Sequence, residues 1–248
     1  MTEKEKEQLR KLFNGFVISN RKNTDGSDFV LSCVYKAYDD AKRTFRGVDQ
    51  DAKEKSLRGF CSEVEAWFDD PQEDFAEWHE QACELLQNWF PMTMGQAQKI
   101  VNMTFKYMYS TAVLGVETGF VSGSIDEKYK AEEKYKDCHV ALDGYILRWM
   151  KEHGGKTQKG IDSWSKIDKY EKYCDVQKEL KDILEEEFAG FSPFKAEYYI
   201  WQRQMFTETA RAFFEALEST TESRSADSAY YEKFFAQYEG IIEAFSKN

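Results

Sequence analysis

The chain has 248 residues, of which 42 % are hydrophobic, 16 % aromatic and 32 % charged. This composition is too apolar and too aromatic for a disordered chain, and it provides enough apolar surface for a sizeable core. A run of about 18 apolar residues, the length of a membrane span, does not occur, and the charged N-terminus lacks the apolar stretch of a secretory signal. We therefore expect a cytoplasmic protein with no membrane partner.

The formal net charge is −11, but the charge is unevenly distributed. Nine acids and no base lie between Cys61 and Glu84, whereas residues 144–160 carry one acid and four bases, Arg148, Lys151, Lys156 and Lys159. Uniform acidity disfavours nucleic-acid binding because phosphates require clustered bases, so only the basic segment leaves such binding open. The five cysteines are widely spaced without a C-x-x-C pair, which predicts reduced thiols and no metal site.

Apolar residues recur at three- and four-residue spacing along nearly the whole chain, so the sequence predicts an all-α fold. In chain order the predicted helices cover about 9–16, 28–46, 51–68, 73–90, 95–114, 143–153, 165–188, 192–217 and 226–245. Residues 115–137 are rich in glycine and charge and predict an irregular connection. Because there is no repeat or low-complexity linker, we expect a single domain, 1–248. It could be built as two lobes, about 1–91 with 192–248, and 92–191.

The segment Met92–Asn102 is the first of two that could carry chemistry. Gly95 lies in a predicted tight turn at a helix start, where free backbone N–H groups would suit a phosphodiester. Lys99 follows one turn later, where burial would depress its pKa. Its polar neighbours are Gln96, Gln98 and Asn102. In the alternative interpretation the two glutamines are capping or surface residues and Lys99 is solvated.

The second segment is His139–Met150, in which Asp143 precedes a predicted helix. The default role of an aspartate there is N-capping, which contributes about 1 kcal/mol to stability. The lysine-bearing segment upstream and the Arg148-Trp149 pair downstream favour an additional, chemical role for Asp143.

Together these segments resemble the helix–hairpin–helix DNA glycosylases, over about 60 residues from Met92 to Met150. In that family a glycine-containing hairpin leads into a lysine-bearing helix, and a Leu/Val-Asp-x-x-Ile/Val-x-Arg segment places an essential aspartate at the next helix start. Residues 142–148, Leu-Asp-Gly-Tyr-Ile-Leu-Arg, are close to the second motif. Residues 95–99 are similar to a Gly-x-x-Gln-Lys arrangement in bacterial and archaeal proteins related to 8-oxoguanine glycosylases. The resemblance implies an insertion within 115–137.

The resemblance implies that the protein flips a nucleotide out of duplex DNA and excises its base, without a cofactor and as a monomer. Asp143 and Lys99 would be catalytic, and the two side chains would face a common cavity within about 10 Å of each other. Either a neutral Lys99 attacks the sugar carbon, which would add strand-cleaving lyase activity, or water is the nucleophile and the enzyme only releases the base. Residues implied to bind DNA or the base are Gly95, Gln96, Gln98, Asn102, Tyr145, Arg148, Trp149 and Trp201. The base would be an oxidised purine or, in phage defence, a bulkier modified base.

Two other functions remain open from the residues alone. Arg148 and His153 have the R-x4-H spacing of helical HEPN ribonucleases, which act on RNA from a dimer interface. A non-enzymatic, partner-binding helical protein is the third hypothesis, in which the aromatic residues at 198, 199, 206, 213 and 214 are core. His79 is expected to be a structural or surface histidine.

Overall fold

A computed structural model of the chain describes residues 2–4, 6–7, 9–10, 29–70, 74–89, 91–116, 124–157, 159–161 and 163–220. These residues form an all-α fold with seven α-helices of at least nine residues, as the apolar periodicity predicts. The helices are α1 (Phe29–Ala41), α2 (Gln50–Asp69), α3 (Phe75–Trp89), α4 (Met94–Met108), α5 (Gly144–Glu152), α6 (Tyr170–Glu187) and α7 (Pro193–Thr220). No helix in this part of the chain is long and apolar enough to cross a membrane.

Helix α4 is the centre of the fold. All fifteen of its residues are buried, and it packs most extensively against α1, with α3 and α6 as further neighbours. A capping box begins the helix: the Thr93 hydroxyl accepts from the N–H of Gln96, and the Gln96 side chain accepts from the N–H of Thr93. Buried polar residues alternate with apolar ones along α4, so its polar side chains must find partners inside the protein.

Two predicted boundaries differ from the structure. The helix predicted from 165 begins at Tyr170, because residues 164–166 form a 3₁₀ turn that lies across the start of α4. There the carbonyl of Ile167 accepts from Gly95 N–H at 2.8 Å, and that of Ser165 accepts from the Thr93 hydroxyl at 2.6 Å. The helix predicted over 95–114 is α-helical only to Met108 and continues as a π-helical turn over Tyr109–Val113.

The connection predicted over 115–137 contains two short 3₁₀ turns, Glu127–Tyr129 and Glu132–Tyr135, in its described part. Most of the predicted helix 9–16 and all of the helix predicted over 226–245 lie outside the described residues. Buried apolar side chains from α1 through α7 belong to a common hydrophobic cluster. The division into two lobes stays a prediction.

Candidate functional site

Lys99 and Asp143, 44 positions apart in sequence, are in direct contact. Lys99 Nζ lies 2.8 Å from Asp143 Oδ2, so the two groups meet well within the expected 10 Å. Their side chains are only 7 % and 11 % exposed. The pair is therefore a covered ion pair, and the open cavity expected between the two groups is replaced by direct contact.

The two carboxylate oxygens of Asp143 have different partners. Oδ1 accepts from the backbone N–H groups of Tyr145 at 2.9 Å and Ile146 at 3.1 Å, which confirms Asp143 as the N-cap of α5. Oδ2 faces Lys99. One oxygen thus fixes the carboxylate to the helix while the other meets the ammonium.

The electrostatic environment keeps Asp143 ionised. Burial by itself raises the pKa of this carboxyl, but the charge and hydrogen bond of Lys99, the N–H of Ile146 and the more distant Lys106 charge outweigh it. The net result is a pKa below the usual aspartate value. Asp143 is consequently a carboxylate at neutral pH where it meets Lys99.

Gly95 and Gln96 have structural roles at the start of α4, which corrects the expectation of a free phosphate-binding helix end. Gly95 N–H donates to Ile167, Gln96 N–H to the Thr93 hydroxyl, and the N–H of Ala97 to the Thr93 carbonyl. The Gln96 side chain donates to the carbonyl and hydroxyl of Thr44 at 2.9 and 3.0 Å. The N–H groups that would have held a phosphate are therefore already used by the chain.

Gln98 and Asn102, expected to read a base, instead bind the backbone that leads to Asp143. Gln98 donates to the Leu142 carbonyl at 3.0 Å and accepts from the Leu142 N–H at 3.2 Å. Asn102 donates to the Val140 carbonyl at 3.2 Å. Both residues are at most 1 % exposed, so base reading by these amides is corrected to an internal, structural contact.

Three of the residues expected to contact DNA lie together beside the start of α5. The Tyr145 ring is 5.3 Å from that of Trp201 in an edge-on arrangement, and the Arg148 guanidinium lies 6.0 Å from the Tyr145 ring centroid. All three side chains are half-buried, in contrast to the amides of α4. This group, which we call the Tyr145–Arg148–Trp201 cluster, adjoins Asp143 through the first turn of α5.

Trp149 is 1 % exposed and stacks on the His153 ring at 4.2 Å, so its ring is covered by the protein where a base was expected to stack. Successive residues of an α-helix are about 100° apart, so Trp149 faces the core while its neighbour Arg148 stays half-buried. His153 Nδ1 donates to the Trp149 carbonyl at 2.8 Å, so one ring nitrogen of the histidine in the ribonuclease hypothesis is bonded to its own helix.

A second buried ion pair, which the sequence reasoning did not identify, lies two turns further along α4. Lys106 Nζ is 2.6 Å from Glu197 Oε1, with side chains 3 % and 1 % exposed. The other oxygen of Glu197 accepts from the N–H of Ala141 at 3.2 Å. The seven-residue spacing from Lys99 to Lys106 puts both lysines on one side of α4, and this was the available signal.

A groove of about 570 Å³ borders the start of α3. It is lined by Trp67, Asp74, Phe75, Ala76, Glu133, Lys134, Lys136, Asp137 and His139, and neither Lys99 nor Asp143 belongs to this lining. Burial lowers the pKa of His139 to about 4, so that its imidazole is neutral at physiological pH. His79, expected to be structural or at the surface, is fully buried behind this groove.

A scan against protein-family models, a search of curated proteins and a search of solved structures gave no match to this chain.

Proposed function

We propose that this protein is a DNA glycosylase in which Lys99 and Asp143 act on the sugar of a flipped nucleotide. The observation that carries the proposal is the contact between Lys99 Nζ and Asp143 Oδ2 at 2.8 Å, with Asp143 capping α5 through its other oxygen. A lysine and a helix-capping aspartate brought together from these two motifs match the arrangement that the resemblance to helix–hairpin–helix glycosylases implies. The sequence motifs suggested this pairing, and it does not follow from closeness in sequence, because the two residues are 44 positions apart.

The proposed reaction uses the pair in two ways. Lys99 gives up one proton to solvent when the ion pair opens, and its neutral nitrogen then attacks C1′ of the flipped nucleotide. The bond from C1′ to the base breaks, and the base leaves with the electron pair and with the proton that the newly bound nitrogen releases. Asp143 stabilises the positive charge that develops on the sugar as this bond breaks. Opening of the sugar ring then gives a Schiff base between Lys99 and C1′, which permits strand cleavage.

The charges near the pair support a DNA-binding side at α5. The Tyr145–Arg148–Trp201 cluster offers a cation and two aromatic rings next to Asp143, suited to a phosphate and to an unstacked base. The exposed Lys151, Lys156 and Lys159 continue the positive charge along the chain. Because the ion pair is about nine-tenths covered, DNA binding has to open it before the sugar can approach.

The direct test is base release from duplex oligonucleotides that each contain one altered base. The set includes 8-oxoguanine, other oxidised purines and a bulky glucosylated pyrimidine, and mass spectrometry identifies the released base. We expect release from at least one duplex, and a fall of at least about 100-fold with Asp143→Asn, which keeps the helix cap but removes the charge.

The matched control is Lys106→Gln, which breaks the other buried ion pair on α4. It should lower stability yet keep base release within about threefold of the unsubstituted protein, because Lys106 acts on Asp143 only as a more distant charge and does not touch it. Equal losses in Asp143→Asn and Lys106→Gln would mean that Asp143 acts only through folding. RNA cleavage that is abolished by Arg148→Ala or His153→Ala, with no base release, would replace the proposal by the ribonuclease hypothesis.

A further inference from the structure

The Gln98 side-chain amide bonds to both backbone polar groups of Leu142, the residue just before Asp143. Gln98 accepts from Leu142 N–H at 3.2 Å and donates to the Leu142 carbonyl at 3.0 Å. Its remaining amide hydrogen donates to the Gly95 carbonyl at 2.9 Å. The orientation of the Gln98 amide is thereby fixed, because reversing it would set its donors against the Leu142 N–H.

Asn102, one turn further along α4, continues the same set of contacts. Its amide nitrogen lies 3.0 Å from Gln98 Oε1 and 3.2 Å from the Val140 carbonyl, both of which can only accept. The amide oxygen of Asn102 must therefore be the atom that faces His79 Nε2 at 3.0 Å. This requires the hydrogen of His79 to be on Nε2.

His79 terminates the series inside the core. It is fully buried and neutral, since burial, together with the neighbouring His139, lowers its pKa well below the ordinary value. Its Nδ1 then accepts, and it lies 3.0 Å from the Tyr170 hydroxyl, whose single hydrogen is shared with the Ala76 carbonyl at 2.9 Å. Each amide group of Gln98 and Asn102 has a partner with matching polarity, so the series can exist in only one hydrogen-bonding direction.

We infer that His79, Asn102 and Gln98 form a positioning relay that fixes Leu142, and through it the Asp143 carboxylate against Lys99. The inference rests on the proposed function for its catalytic consequence, but the geometry of the relay does not. A core needs only apolar side chains of the right volume, whereas two buried amides and an imidazole are costly unless every group is paired. The pairing of the two amides, directed at the backbone of Val140 and Leu142 just before Asp143, gives orientation rather than bulk stability. The three are positioning residues and do not touch the reacting atoms.

The test measures the pKa of Asp143 by carbon NMR of its carboxyl group, together with single-turnover base release. In Gln98→Met we expect the Asp143 pKa to rise by about one unit or more. The single-turnover rate constant of base release should fall at least about tenfold, with the half-saturating protein concentration little changed. Thr104→Val is the matched control: Thr104 is equally buried on α4 and its hydroxyl bonds only to the Ile100 carbonyl of its own helix. The control should leave both readouts unchanged.

A pair of variants at His79 separates positioning from packing. His79→Gln retains a side-chain N–H for the Asn102 oxygen and should keep the Asp143 pKa within about 0.3 units of the unsubstituted value, whereas His79→Leu should raise it as Gln98→Met does. If Gln98→Met does not fold, Asn102→Ser carries the same expectation as that variant.

An Asp143 pKa that is unchanged in folded Gln98→Met and His79→Leu would overturn the relay. Absence of base release by the unsubstituted protein would instead defeat the proposed function, and the NMR titration would still decide whether the relay positions Asp143.

Discussion

Removing either partner of the Lys99–Asp143 pair should destabilise the fold, and removing the aspartate should cost more. Lys99→Met leaves a carboxylate that still accepts two backbone N–H groups, from Tyr145 and Ile146. Asp143→Leu leaves the Lys99 ammonium without its carboxylate and also deprives α5 of its cap. Asp143→Leu should cost more because Asp143 Oδ1 caps α5 and Oδ2 pairs with Lys99, so that substitution loses both contacts.

The magnitudes can be estimated from the burial of the pair. With side chains 7 % and 11 % exposed, solvent screens the charges little, and breaking such a pair from one side costs about 3–5 kcal/mol. The two remaining N–H donors put Lys99→Met near the lower limit, at about 3 kcal/mol. Loss of the cap adds about 1 kcal/mol to Asp143→Leu. Asp143→Asn, which retains a capping side chain, should lie between the two.

Urea unfolding followed by circular dichroism at neutral pH measures these differences. In the double variant Lys99→Met/Asp143→Leu no buried charge is left alone, so its loss should be smaller than the sum of the single losses by at least about 1 kcal/mol. Strictly additive losses, or Lys99→Met being the more damaging single substitution, would refute the reasoning.

Three further predictions concern the surroundings of the pair. Gly95→Ala should lower the free energy of unfolding in urea by about 3 kcal/mol, because its Cβ would lie 1.8 Å from the Trp164 carbonyl oxygen. Gly59→Ala, in α2, should raise it by about 1 kcal/mol, because no atom lies within 4 Å of the added Cβ. Similar effects of the two substitutions would contradict the close approach at Gly95. The free energy of unfolding should decrease as the pH is lowered below about 6.5, by up to about 1.4 kcal/mol per pH unit for each of His79 and His139. In that range the unfolded chain protonates both histidines and the folded chain does not, His139 until about pH 4. An unchanged free energy of unfolding between about pH 7 and 5 would be contrary evidence. Salt titration of DNA binding should give a shallower slope for Arg148→Ala than for the unsubstituted protein, by about one counterion, and identical slopes would remove Arg148 from the DNA contact.

Much of the fold could be predicted from the sequence because apolar residues at three- and four-residue spacing indicate helices locally. The start of α5 was predictable since Asp143 precedes an apolar-periodic segment, and the start of α7 since Ser192-Pro193 is a typical helix opening. The start of α6 was not, because residues 164–166 form a 3₁₀ turn in place of an α-helix, and this turn and Ile167 bond to Thr93 and Gly95, some 70 positions away. A contact of that range has no local sequence signal.

The contact between the charged residues of the site could be predicted from the sequence, whereas the partners of its amide side chains could not. Lys99 and Asp143 could be paired through the two motifs, and they are in contact. Gln98 and Asn102 have the same residue types as base-reading side chains, and only the structure reveals that their partners are the backbone groups of Leu142 and Val140. Side-chain chemistry indicates what a group can bind, whereas burial decides what it does bind.

The central claim, that Lys99 attacks the sugar of a flipped nucleotide beside Asp143, is tested most directly by borohydride reduction during the reaction. The protein is incubated with the duplex from which it releases a base, and peptide mass spectrometry locates any DNA adduct. We predict a covalent adduct on Lys99 that is absent in Lys99→Gln and present in Lys106→Gln, since both lysines are buried in ion pairs on the same helix and only Lys99 contacts Asp143. An adduct on another lysine, or base release that Lys99→Gln leaves intact without any adduct, would contradict the claim.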